Sequence, residues 1–209
     1  MYARSTTFRG DPPAIDEGVA YTRDKVLPAL AQMDGCLGLS MFVDRTTGRC
    51  IVTTSWDDVE ALRRSAEAVR GIRETTLSTV RAVDGETDVV EWQIGVLHRV
   101  RSAPAGAAAR VISTRGPLGQ TDRTIEHFRA HVVPRIGDLP GFCSVSLLVN
   151  RETGRSAIAT VYEDRQTRHF SRGQAQAIRE EFTEHMGMHI TDVAEYDVAL
   201  SQLRVPETV

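Results

Sequence analysis

Histidine is the residue type with the most chemistry to offer in this chain, and it is unevenly placed. Of six histidines, only His98 precedes the midpoint, while His127, His131, His169, His185 and His189 follow it. His127/His131 and His185/His189 are each spaced i, i+4, which sets two imidazoles on one helical face as a chelating pair requires. Neither pair has a recognisable third ligand in sequence, so both read as helix-edge histidines and no metal is expected. Cys36, Cys50 and Cys143 show no CxxC spacing and read as reduced, small apolar residues. Asp57-Asp58 and Glu163-Asp164 sit where helix caps belong rather than as a catalytic carboxylate pair. No glycine-rich phosphate loop or nucleophile–base motif is recognisable. Arg4 and Arg110 recur at equivalent positions, as do Arg9 and Arg115. Each could aim a guanidinium at a ligand, but solvent-facing ion pairs are the expectation.

The elements that must position these residues come twice. Asp44-Arg45-Thr46-Thr47-Gly48-Arg49 returns as Asn150-Arg151-Glu152-Thr153-Gly154-Arg155, an offset of 106 residues. The register holds without a gap from Arg4/Arg110 to Glu74/Glu180, with roughly twenty identical positions, far above chance. Pro28 falls on Pro134, Gly35 on Gly141, Ser40 on Ser146, Trp56 on Tyr162 and Ser65 on Ser171. A period of this length is a whole domain rather than a solenoid repeat. The chain therefore reads as a fused pseudo-dimer: residues 1–101, a linker at 102–109 rich in Ala, Pro and Gly, and residues 110–209.

Within the first half, residues 2–8 predict a short strand. Ile15, Val19, Val26 and Leu30 follow helical spacing, with Pro28 bending or closing that helix. Residues 36–43 and 50–56 predict two strands joined by a hairpin around Gly48. A helix from Val59 follows, its apolar face formed by Leu62, Ala66, Val69, Ile72 and Leu77, with Ser65 mid-helix as a small packing residue. Residues 89–96 close the half as a strand. The second half copies the series at 110–114, 124–136, 142–149, 156–162, 168–184 and 193–203. The order β-α-β-β-α-β is the split βαβ, ferredoxin-like topology, with both helices on one sheet face. The bare face needs a partner, and the second copy is the obvious one.

Composition narrows the partners. The formal net charge is −3 with no basic run, which argues against a nucleic-acid or anionic-membrane surface. No apolar stretch approaches a membrane span and the N-terminus lacks a signal-peptide core, so a cytoplasmic protein is expected.

The βαββαβ unit with Gly35 before its second strand, the Asp44–Arg49 hairpin, and Ser55-Trp56 ahead of an acid-capped helix resembles the antibiotic-biosynthesis-monooxygenase domain of the dimeric α/β-barrel superfamily. The resemblance spans nearly the whole chain as two tandem domains. It implies an α+β fold in which two ferredoxin-like domains form one intrachain dimeric α/β barrel, open to further oligomerisation. It also implies a ligand pocket between the sheet and the two helices of each half, and cofactor-independent oxygenation of a small aromatic or quinol compound. The alternative is a non-catalytic small-molecule binder of the same fold, with haem as the lesser possibility. Carried over by position, Trp56, Tyr162 and His169 are the catalytic candidates, and Arg4, Thr6 and Arg110 the substrate-binding ones. Arg4, Thr6 and Trp56 would line one pocket, and Arg110, Tyr162 and His169 the other. Haem degradation is not expected, because the first-strand Asn of the haem degraders is missing and the counterparts of His169 and His185 are Arg63 and Thr79.

Overall fold

A computed structural model of the chain describes residues 1–204; residues 205–209 of the second sequence half lie outside the described residues. The first repeat runs β1 (Tyr2–Arg9), α1 (Ile15–Tyr21), α2 (Leu27–Leu30), β2 (Cys36–Asp44), β3 (Arg49–Trp56), α3 (Val59–Arg64), α4 (Ala66–Thr79) and β4 (Asp88–Arg99). The second runs β5 (Ala108–Arg115), α5 (Thr121–His127), α6 (Val133–Gly137), β6 (Phe142–Val149), β7 (Arg155–Tyr162), α7 (Arg165–Phe170), α8 (Arg172–His185) and β8 (His189–Leu203). Both repeats are therefore βαββαβ, and the eight strands close into a barrel in the order β1-β3-β2-β8-β5-β7-β6-β4.

By packing, the described chain divides into two compact units: residues 1–92 with 199–204, and residues 93–198. These cuts fall inside β4 and β8 rather than between the sequence halves. The irregular connection between the repeats spans 100–107, as long as the expected 102–109 linker but two residues earlier, since Ala108 and Ala109 already pair in β5.

Three local departures from sequence expectation have physical causes. The first helix of each repeat is interrupted by a π turn, Thr22–Val26 and Phe128–Val132, at the same repeat positions. Pro28 and Pro134 follow at once; each lacks an N–H, and its ring would strike the carbonyl four residues back. The wider turn absorbs this, with Leu27 N–H donating to Thr22 O and Val133 N–H to Phe128 O, five residues back. The second helix breaks at Ser65 and at Ser171, which are not mid-helix packing residues. Ser65 Oγ instead donates to Leu62 O at 2.8 Å, turning the chain from α3 into α4. His189 lies past its helix, at the start of β8.

Caps and hairpins account for much of the repeated motif. Asp58 Oδ1 accepts from Ala61 N at 2.7 Å, and Asp164 forms a capping box with Thr167. In the first hairpin, Asp44 accepts from Thr46 N at 2.9 Å and from Thr47 Oγ1 at 2.6 Å. Asn150 does the same for Glu152 N, Thr153 N and Thr153 Oγ1. Gly48 sits at φ +74°, and a Cβ there would lie 1.9 Å from Gly10 O, so glycine is required. The most repeated motif in the chain is thus turn chemistry.

Each unit has its own apolar core. Phe8, Ile15, Leu39, Met41, Trp56 and Leu62 lie in the first. Phe128, Phe142, Leu147, Ile158, Tyr162 and Phe182 lie in the second.

Candidate functional site

Trp56 ends β3 with none of its surface exposed, and its Nε1–H donates to Thr54 Oγ1 at 3.1 Å. Zero exposure to a water-sized sphere means that no water-sized space lies against the ring, so it packs as a core side chain. Thr6 is buried in β1 opposite Val52. Arg4, expected in a solvent-facing ion pair, is instead a buried clasp. Its Nε and Nη2 donate to Glu91 Oε1 at 3.1 and 2.7 Å. Nη2 also donates to Leu62 O at 2.8 Å, and Nη1 to Ser65 Oγ at 3.2 Å. Every nitrogen of Arg4 is engaged, tying β1 to β4 and to the α3–α4 break.

The second unit starts from the same plan. Arg110 donates from Nε and Nη2 to Glu195 Oε1 at 3.3 and 2.9 Å, and from Nη2 to Arg168 O at 3.0 Å. The difference is at Nη1, which is buried with no hydrogen-bond partner. Ser171, the counterpart of Ser65, donates to Pro140 O instead. The Arg110 guanidinium carbon lies 5.8 Å from the centre of the Tyr162 ring, a cation–π contact.

Two further cations join this carboxylate. Arg168 Nη2 lies 3.1 Å from Glu195 Oε2, and Arg172 Nη2 is 3.2 Å from both carboxylate oxygens. Arg168 Nη1 is also held by Ala109 O and Tyr196 O, while its Nε is buried without a partner. Three guanidinium groups thus converge on one carboxylate. Burial alone would raise the Glu195 carboxyl, but the hydrogen bond from Arg110 and the charges of Arg168 and Arg110 outweigh it and hold it low. Burial lowers the Arg168 guanidinium, with Glu195 opposing and Arg110 reinforcing. Burial likewise raises the Tyr162 phenol, and Arg110 opposes that shift.

The structure therefore brings Arg110 and Tyr162 together but leaves His169 exposed on α7, beside Phe170. Arg168, Arg172 and Glu195 were missed in the sequence. Their signal was there for two of them: Arg168 replaces Leu62 and Arg172 replaces Ala66 in the repeat register, each exchanging an apolar residue for a cation. Glu91 and Glu195 match in geometry but not in that register, so an ungapped comparison hides them.

The cysteines offer no reactive thiol. Burial pushes Cys50 up to about 12 and also raises Cys36 and Cys143. Among the described residues, no helix is long and apolar enough to cross a membrane.

Relatives place this geometry. Uncharacterized protein Rv2557 of Mycobacterium tuberculosis H37Rv is 39% identical over 209 residues, covering 100% of this chain and 92% of that protein. Uncharacterized protein Rv2558 of the same strain is 38% identical over 210 residues, covering 100% and 88%. The chain belongs to the family of these two mycobacterial proteins. No family model matches the chain. Among solved structures, a candidate monooxygenase from Lactobacillus acidophilus NCFM superimposes with a TM-score of 0.70 at 11% identity, covering 97% of this chain and 96% of that one. An anthrone oxidase-like protein gives 0.66 at 12% identity, covering 97% and 93%. A ferredoxin-fold protein from Listeria monocytogenes, described as related to antibiotic biosynthesis monooxygenases, gives 0.53 at 9% identity, covering 95% and 94%. The fold is that of the antibiotic-biosynthesis-monooxygenase-like barrels, as the sequence resemblance implied.

Proposed function

We propose that the protein binds a small phenolic or quinol-type aromatic as its anion in the second unit, and oxygenates it without a cofactor. The observation that supports this reading is Arg110: a buried cation with one nitrogen unpartnered, set against an aromatic ring and within a cluster carrying excess positive charge. Cofactor-free oxygenation needs a phenol to ionise in a water-poor place, so that the substrate's own anion can pass electrons to dioxygen. Arg110 and Arg168 supply fixed positive charge for that anion. Glu195, held ionised by its cations, is a poor proton acceptor, and the phenolic proton leaves to solvent. One oxygen atom of dioxygen then enters the ring system as a carbonyl and the other leaves as water, with all electrons coming from substrate. Arg110 is enclosed, so this reading requires the exposed Arg172 and its pairing with Glu195 to give way when a ligand enters.

The first unit is not assigned a ligand, because every nitrogen of Arg4 is engaged. Haem is not favoured either: the candidate ligand His169 is exposed on α7 beside Phe170.

The test is dioxygen uptake by metal-stripped protein against hydroquinones and polycyclic phenols, with Arg110→Gln alongside. Uptake above the autoxidation blank that is lost in the variant supports the oxygenase. Saturable binding without uptake leaves the non-catalytic binder, and neither binding nor uptake removes the proposal.

A further inference from the structure

We propose that His127, His131 and His185 form a binding site for one divalent transition-metal ion of the zinc, copper and nickel class. His127 ends α5, and His131 lies in the π turn that follows it. Their i, i+4 spacing sets both rings on one face, with centroids 4.6 Å apart. The third ligand that sequence could not supply comes from α8. His185 ends that helix, and its ring lies 4.4 Å from His127, nearly parallel at 17°. The rings rim a groove of about 450 Å³ whose apolar floor is Val132, Ile178 and Phe182. Glu181, paired with Arg135 at 2.8 Å, supplies a carboxylate at the same rim.

Imidazole is the ligand type that suits zinc, copper and nickel, and three protein ligands with one open position make a usable site. The rings are now stacked rather than converging. Two near-parallel planes cannot aim their in-plane lone pairs at one point, and among the described residues no three such side chains stand in metal-holding geometry. Imidazoles bound at about 2 Å in a tetrahedral site have ring centres roughly 5 Å apart. The two separations from His127, 4.6 and 4.4 Å, are within about an ångström of that. His131 and His185 must turn toward each other to complete the set. His131 and His185 are both exposed and can turn between staggered wells at little cost.

The counterparts in the first repeat are Tyr21, Lys25 and Thr79, so three imidazoles were placed together in one unit only.

The test uses the tag-free full chain, titrated with zinc and with copper(II) against a chromophoric chelator at pH 7.5. One equivalent should bind with micromolar affinity. His185→Gln should weaken binding about tenfold or more, and the double variant His127→Gln/His131→Gln should abolish it. His169→Gln should bind as the parent does. The copper spectrum should lose the coupling of one nitrogen in His185→Gln, with circular dichroism unchanged. Absence of one-equivalent binding overturns the site. So does unchanged affinity in His185→Gln, which reduces it to a two-histidine chelate on one helix, and so does equal loss in His169→Gln.

Discussion

The two units build the same arginine clasp and then diverge around it. In the first, Arg4 meets one carboxylate, one hydroxyl and one carbonyl, and its charge is matched by Glu91. In the second, Arg110 keeps the carboxylate and the carbonyl but loses the hydroxyl, and Glu195 is shared with Arg168 and Arg172. The side chains of Arg4 and Arg110 are equally buried, at 4% exposure each, so burial does not distinguish them. What differs is satisfaction and charge. A duplicated element with every donor paired is explained by stability alone. The copy with an unpartnered donor and surplus charge asks for another explanation, and a ligand is one.

The largest expected effect separates the clasps by stability. Arg4→Ala removes the side-chain bonds by which Arg4 ties β1 to β4 and to the α3–α4 break and should cost about 3 kcal/mol in chemical denaturation. Arg110→Ala leaves Glu195 with two cations and should cost roughly half as much. Equal losses would mean that Arg168 and Arg172 do not support the carboxylate.

Next in size, Glu195→Gln leaves three guanidinium groups without their anion and should cost about 2 kcal/mol. Glu91→Gln, at a half-exposed carboxylate, should cost about 1 kcal/mol or less. The sign with pH follows. The Glu195 carboxyl is lowered in the folded state, so its contribution is present above the unfolded carboxylate pKa and is lost as pH falls through the folded one. Acid titration of parent against Glu195→Gln should therefore converge below that range and diverge above it.

The smallest effect belongs to the histidine groove. Burial holds the His127 imidazole below its ordinary 6.5, so stability should fall slightly as pH drops through 6.5 toward the folded value. His127→Gln should flatten that slope, as read by thermal melting at closely spaced pH values. A slope unchanged in the variant would assign it to other groups.

Much of the fold was legible because it is written twice. Hairpin residues Asp44 and Gly48, the capping acids and the βαββαβ order all follow from local rules that repetition reinforces. The π turns and the Ser65 and Ser171 breaks were not legible, since they resolve a conflict between helical periodicity and one proline or one hydroxyl. The candidate site was half legible. Arg110 and Tyr162 were singled out, but Trp56 was enclosed by core packing and His169 turned to solvent. His185 joined His127 and His131 only through the packing of α8, a contact that spacing along the chain cannot show.

The most direct test is a calorimetric titration with 2-naphthol and hydroquinone, comparing the parent with Arg110→Gln and Arg4→Gln, each first shown to be folded. The account predicts saturable binding that Arg110→Gln abolishes and Arg4→Gln preserves. Equal loss in both variants, or full binding in Arg110→Gln, would contradict it.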